Sequence, residues 1–192
     1  MIAGIILAAG ASRRMGAPKA LLDYRGETFA GRLVRVFSKF CDPVIVVVGL
    51  HAAAIREQVD ARFVVNPDPD RGQLSSLQTA LAEIPTAVEG FLFTPVDCPT
   101  VESSTIAALI GVFRQSDPPL VIPRYRGRRG HPVCAARSLI ADFLALPPTA
   151  ETRAAIDARA SEISYLDVDD PGVLADIDDA EAYRQLAQRD AP

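Results

Sequence analysis

At 192 residues, 49% of them hydrophobic, the chain carries enough apolar material for one full core and reads as a single domain spanning residues 1–192, not as a disordered segment. A net charge of −4 excludes an extended nucleic-acid surface, although basic residues cluster locally at Arg13 and Arg14 and from Arg124 to Arg129. The three cysteines, Cys41, Cys98 and Cys134, lack CxxC or zinc-finger spacing, which excludes a disulfide framework or structural zinc and leaves buried, reduced thiols of a cytoplasmic protein.

Residues 2–9 form a continuous apolar run, the pattern of a parallel strand covered on both faces. The run is too short for a membrane span and lacks the basic flank of a signal peptide. After a Gly-rich loop at 10–19, Phe29, Leu33, Phe37 and Phe40 recur at helical spacing until Pro43. A buried strand at 44–48, a helix at 55–59 and a short strand at 62–65 follow. Leu74, Leu77, Leu81 and Ile84 mark a helix opening near 72–75 and closed by Pro85, and residues 91–96 make the next core strand. Ile106, Leu109, Ile110 and Phe113 define another helix, and 120–122 another strand. The polar, Gly-punctuated stretch 124–130 reads as an excursion from the sheet that returns at 131–135. Leu139, Ile140, Phe143 and Leu144 form a helix stopped by Pro147 and Pro148. Residues 149–160 are helical, 163–168 a strand and 179–188 a terminal helix. Strands alternating with helices predict βαβ units, hence an α/β fold of three layers around a mainly parallel, Rossmann-like sheet.

In open α/β sheets, ligands bind beyond the carboxyl ends of the strands. Three polar stretches fall at such ends: 10–19, 66–76 and 97–99. In the first, Gly10 and Gly16 permit a tight backbone whose N–H groups converge on an anion, while Arg13, Arg14 and Lys19 supply cations. A triphosphate carries about four negative charges, which suits this combination; a solvated strand-to-helix turn needs neither the glycines nor the cations. The loop is neither GxxxxGK[ST] nor GxGxxG, so a P-loop and a nicotinamide site are unsupported. Asp97, just past its strand, suits either a magnesium ligand or an N-cap. Asp167, Asp169, Asp170, Asp176, Asp178 and Asp179 crowd together, and most of such a run is ordinarily solvated surface.

Residues 7–19, Leu-Ala-Ala-Gly-Ala-Ser-Arg-Arg-Met-Gly-Ala-Pro-Lys, resemble the LAAGxSxRMGxxK signature of the MobA-like nucleotidyltransferases, which include molybdenum-cofactor guanylyl- and cytidylyltransferases. Asn66-Pro67-Asp68 with residues 72–77 (Gly-Gln-Leu-Ser-Ser-Leu), Asp97-Cys98-Pro99-Thr100, Gly130-His131-Pro132-Val133 and Asp176-Ile177-Asp178 resemble further motifs of that family, in the same order. The resemblance implies a fold of the nucleotide-diphospho-sugar transferase type and in-line attack of an acceptor phosphate on the α-phosphorus of a nucleoside triphosphate. It implies nucleotide binding by Leu7, Ala8, Ala9, Gly10, Ser12, Arg13, Arg14, Gly16, Lys19, Asn66, Gln73, Ser75 and Ser76, with Lys19, Arg14 and Asp97 catalytic. Asp97 and Asp178 are the implied ligands of Mg²⁺, with Asp176 the alternative to Asp178, and Gly130 and His131 the implied acceptor contacts. Arg126, Arg128 and Arg129 suit either the acceptor's phosphate or a solvated loop. The bland readings stay beside the others: Ser75 and Ser76 as caps, and His131 as a structural histidine.

Ala9, where guanylyl members tend to have Gly, and Pro18 before Lys19 resemble the cytidylyl type, which favours CTP over other nucleoside triphosphates and a molybdopterin-type cofactor phosphate as acceptor. The chain departs from the family where Asp179-Ala180-Glu181-Ala182 replaces the usual Thr-Pro-Glu-Asp. Expected partners are these small molecules and a transient contact with a molybdoenzyme, with no nucleic acid and no membrane. Rival readings are the same chemistry on methylerythritol phosphate or a sugar phosphate, and a non-catalytic nucleotide-binding maturation chaperone.

Overall fold

The computed structural model describes residues 1–189. Its strands are β1 (Ile2–Ala8), β2 (Asp23–Tyr24), β3 (Glu27–Thr28), β4 (Val44–Val48), β5 (Arg62–Val65), β6 (Gly90–Pro95), β7 (Leu120–Tyr125), β8 (Arg128–Arg129), β9 (Val133–Ala136) and β10 (Ile163–Asp167). The helices are α1 (Phe29–Phe37), α2 (Ala52–Gln58), α3 (Gln73–Leu81), α4 (Ser103–Ser116), α5 (Ile140–Ala145), α6 (Thr152–Asp157) and α7 (Ala180–Arg189).

The main sheet has the order β10-β7-β9-β6-β1-β4-β5, with β8 paired to β7. β1 lies parallel to both β4 and β6, β4 to β5 and β10 to β7, whereas β9 runs antiparallel to β6 and β7. The sheet is therefore mixed but mostly parallel, as its strand–helix alternation predicts. From β1 the chain builds toward β5 on one side and then crosses back to β6 on the other, which places the reversal of strand order at the carboxyl end of β1.

Alternation along β1 explains the three layers. Ile2, Ile6 and Ala8 face one side, where α1 and α4 contribute Phe29, Leu33, Phe37, Ile106, Leu109 and Phe113. Ala3, Ile5 and Leu7 face the other, against Leu74, Leu77 and Leu81 of α3 and Phe143 of α5. Each of the buried Ile, Leu and Phe side chains contributes about 1.5–3 kcal/mol relative to exposure, so both faces of β1 are committed to the core and only its end is free for chemistry. Thr28 caps α1 by accepting from the Gly31 amide at 3.0 Å.

Several boundaries differ from the sequence reading. α1 stops at Phe37, because the chain then turns through Phe40 and Cys41 toward Pro43. α2 starts earlier, at Ala52, where alanines give no periodic marker, and α6 is confined to Thr152–Asp157. The β2–β3 hairpin, with strands of two residues each, is too short to leave a periodic pattern in sequence; its turn places Arg25 (φ 56°) and Gly26 (φ 81°) in the left-handed region. Among the described residues no helix is long and apolar enough to cross a membrane.

Candidate active site

The loop after β1 folds back on itself. Ser12 (φ 51°) and Gly16 (φ 68°) take left-handed backbone, Met15 N–H donates to the Ser12 carbonyl at 3.0 Å, and the Lys19 amide donates to Ser12 Oγ at 3.0 Å. Gly16 thus plays the conformational part expected of it. Gly10 does not have positive φ, and a Cβ built there would meet nothing within 4 Å, so its side faces open space.

This loop forms one wall of a cleft of about 310 Å³, within the range of small-ligand sites. Leu7, Ala8, Ala9, Gly10, Ser12, Arg13, Arg14 and Lys19 line it, as do Gln73, Ser76, Asp97 and Asp178. Asn66, Ser75 and Gly16 stand outside that lining. Asn66 Nδ2 donates to Ser75 Oγ at 2.9 Å and Ser76 Oγ at 3.0 Å, while its Oδ1 accepts from Asp68 N–H at 3.0 Å. Ser75 Oγ donates to the Gly72 carbonyl at 2.7 Å, so neither serine caps α3 by accepting a bond from its amides. Asn66 and Ser75 instead pin the 66–76 loop to the start of α3, which presents Gln73 and Ser76 to the cleft.

Two sequence-distant segments supply the acidic floor. Asp97 follows β6; the next helix starts only at Ser103, so Asp97 caps nothing. Ile177 N–H donates to the Asp97 carbonyl at 3.0 Å, docking 176–178 beside it. Ile177 is buried, so its neighbours Asp176 and Asp178 both turn to the site. One oxygen from each of Asp97, Asp176 and Asp178 lies within 4.8 Å of the others. Three hard oxygen donors this close suit Mg²⁺ or Mn²⁺. Burial and then the charges of Asp97 and Asp178 hold the Asp176 carboxyl above its ordinary range, the sign of a group that a cation would relieve.

Lys19 reaches into this floor. Its Nζ donates to Asp178 Oδ1 at 2.6 Å and Asp97 Oδ2 at 3.0 Å, with only 12% of the side chain exposed. Burial works against its charge, yet the hydrogen bonds and charges of Asp178 and Asp97 hold its pKa above the ordinary value. Asp178 is correspondingly held low, first by the Lys19 hydrogen bond and then by Arg14, whose Nη2 approaches Asp178 Oδ2 at 2.9 Å. Arg13 pairs with Asp70 at 3.3 Å in solvent.

A second cavity, about 380 Å³, shares Gln73, Pro95, Asp97 and Asp178 with the first and extends to Arg128, Arg129, Gly130, His131 and Asp176. Gly130 and His131 are held by backbone: Gly130 N–H donates to the Pro123 carbonyl at 2.9 Å and His131 N–H to that of Val173 at 2.8 Å. A Cβ at Gly130 would fall 2.2 Å from the Val173 carbonyl oxygen. The His131 ring packs edge-on to Phe93, and burial lowers its pKa despite the opposing influence of Asp97. Its Nδ1 is buried without a partner.

Sequence reasoning did not single out His51, Ile55, Pro69 and Gly72 as lining residues, whereas both acids of the Asp176-Ile177-Asp178 motif reach the site. The carboxyl end of β4 was the available signal for His51. The cysteines are all buried and free. Burial pushes Cys41 up to about 12 and Cys98, beside Asp97, well above the ordinary thiol range, so neither is a thiolate near neutral pH.

Comparison with known proteins places this geometry. Residues 4–163 match the model of the MobA-like NTP transferase domain. A probable molybdenum cofactor guanylyltransferase from Bacillus cytotoxicus is 30% identical over 67% of this chain, a match covering 64% of that protein, less than two thirds of its length. The molybdenum cofactor cytidylyltransferase of Escherichia coli K12 is 24% identical over 96% of this chain and 95% of its own. Rv0371c from Mycobacterium tuberculosis H37Rv superposes with a TM-score of 0.85 at 30% identity over 97% of both chains. Its manganese complex superposes at 0.79 and 26% identity, over 97% of this chain and 98% of that one.

Proposed function

The chain belongs to the MobA-like NTP transferase family, and on that premise we propose that it moves a nucleotidyl unit, CMP by preference, from a nucleoside triphosphate to the phosphate of a molybdopterin-type cofactor, releasing pyrophosphate. The observation that carries the reading is the junction of the two cavities. One is walled by the Gly-rich loop and its cations, the other by Gly130 and His131, and they meet at Asp97 and Asp178. A donor in the first and an acceptor in the second would bring their phosphates together over the carboxylates.

In the transfer, an acceptor phosphate oxygen forms a bond to the α-phosphorus as the α–β bridging bond breaks and pyrophosphate departs with its electron pair. The nucleophile is already ionised, so no proton need be removed and His131 is not required as a base. What the reaction asks of the protein is alignment and charge compensation. Lys19 and Arg14 neutralise triphosphate oxygens, the Ser12–Gly16 turn shapes the loop around them, and Gly10 leaves its backbone open to the ligand. Asp97, Asp178 and Asp176 would hold Mg²⁺, which when bound supplies charge neutralisation at the phosphates. The preference for CTP rests on Ala9 and Pro18, both beside the cleft.

Release of pyrophosphate from each common nucleoside triphosphate, with molybdopterin, methylerythritol phosphate and sugar phosphates as acceptors, tests the reading. Turnover with CTP and molybdopterin is expected, and Asp97→Asn is expected to lose it at least about 100-fold while keeping the wild-type fold by circular dichroism. Nucleotide binding with no turnover for any acceptor would instead identify a maturation chaperone.

A further inference from the structure

Four arginines, Arg124, Arg126, Arg128 and Arg129, crowd the hairpin that carries β7 into β8, and their environments separate them. Arg124 makes a bidentate pair with Asp167 at 3.0 and 2.9 Å and lies over the Tyr165 ring, 4.7 Å from its centroid. Arg129 pairs with Asp157 at 2.9 Å and also packs on Tyr165, at 5.1 Å. Arg126 lies over Tyr125 at 5.1 Å. Among the described residues no side-chain hydrogen bond, ion pair or ring contact engages Arg128.

Strand register produces this division. β8 pairs with β7 so that Arg129 stands opposite Arg124 and Arg128 opposite Tyr125. Directly opposed residues share a face and successive residues alternate faces. Arg129 therefore joins Arg124 on the side of Tyr165 and Arg128 lies on the other face. Both residues line the second cavity, but the Arg129 guanidinium is held by Asp157 and Tyr165, whereas that of Arg128 is held by neither. Arg128 lines the same space as Asp97, Asp176 and Asp178, yet it makes no ion pair with any of them. The cavity thus has a carboxylate floor and, in its wall, His131 and one unengaged guanidinium, that of Arg128.

We propose that Arg128 grips the acceptor's own phosphate and thereby selects a phosphomonoester acceptor over one that attacks through a hydroxyl or a carboxylate. This rests on the transferase reading and adds a specificity-determining residue to it. A dianionic phosphate approaching a triphosphate meets strong repulsion, and Lys19, Arg13 and Arg14 all serve the triphosphate side. On the acceptor side Arg129 is already paired with Asp157, which leaves Arg128 as the unpaired cation there, and its planar fork fits two phosphate oxygens.

Steady-state pyrophosphate release with CTP and molybdopterin tests the assignment. Arg128→Ala is expected to raise the acceptor KM on the order of 10–100-fold with the CTP KM within about twofold, and Arg128→Lys to recover part of the loss. Arg126→Asn, which keeps a residue tolerant of the left-handed φ of 50°, is the hairpin control and leaves both constants unchanged. Inorganic phosphate, followed through the amide resonances of Gly130 and His131, binds the wild type and is on the order of 10-fold weaker for Arg128→Ala. An unchanged acceptor KM, or equal losses for CTP and acceptor, overturns the role of Arg128. A wild type that releases no pyrophosphate with any acceptor refutes the transferase reading instead, and the phosphate titration then still decides for or against Arg128.

Discussion

Replacing Lys19 by Met removes the one ammonium that bridges Asp97 and Asp178 while keeping most of its volume. The two hydrogen bonds, at 3.0 and 2.6 Å, join groups whose side chains are 12%, 20% and 36% exposed. A fully buried pair broken on one side costs about 3–5 kcal/mol, and an exposed one under about 1 kcal/mol. Partial exposure, and Arg14 still facing Asp178 from solvent, set the expected cost at about 2 kcal/mol without divalent ions. For a chain this long that is a drop of about 4–8 °C in Tm. The pH dependence follows from the two shifts. Asp178 is depressed, so its contribution is complete above the ordinary carboxylate value of 3.8 and disappears as pH falls through its lower folded value. Lys19 is raised, so its contribution is complete below 10.5 and disappears as pH climbs through its higher folded value. The wild-type advantage should therefore plateau between these limits and shrink on either side. Thermal melts in a chelator across pH read this directly, and kcat/KM for the triphosphate should fall on the order of 10²–10³-fold in parallel. A Lys19→Met protein that melts within a degree of wild type near pH 7, or turns over normally, would refute both the bridging energetics and the catalytic assignment.

Asp176→Asn should move stability the other way. A carboxyl held above its ordinary range is disfavoured when charged, so its cost is complete at pH above its folded value, shrinks as pH falls below it and is gone below the ordinary 3.8. A neutral isostere near pH 7 should stabilise the metal-free protein by a few tenths to about 1 kcal/mol, discounted for exposure, and diminish the rise in Tm produced by Mg²⁺ or Mn²⁺. An undiminished rise would remove Asp176 from the ligand set. Gly130→Ala should cost about 2–3 kcal/mol, because its Cβ collides with the Val173 carbonyl and displaces the β8–β9 connection. Urea unfolding measures it, and a variant as stable as wild type would show that the connection yields easily.

The acidic stretch near the chain's end shows how far composition alone could reach. Asp167 pairs with Arg124, and Asp179 caps α7 by accepting from the Glu181 and Ala182 amides at 3.0 and 2.9 Å. Asp170 is buried and accepts from Glu102 N–H at 2.9 Å and Thr105 Oγ1 at 2.7 Å, tying the segment to the start of α4. Only Asp176 and Asp178 reach the cleft. In sequence these acids look alike, and their roles separate only when the segment is docked on Asp97 and on α4. The same holds for the arginines of the β7–β8 hairpin, whose roles depend on cross-strand register.

What the sequence by itself determined is the local and periodic content: the buried run of β1, the helix and strand alternation, and a Gly-rich, cationic loop at a strand end. Those features are legible because burial, backbone geometry and charge leave a signature within a few residues of where they act. The meeting of Lys19 with Asp97 and Asp178, the employment of Asn66 and Ser75 in holding a loop, and the separation of Arg128 from Arg129 were decided by tertiary structure. Each depends on distances between segments far apart in the chain, and those are set by sheet order and register.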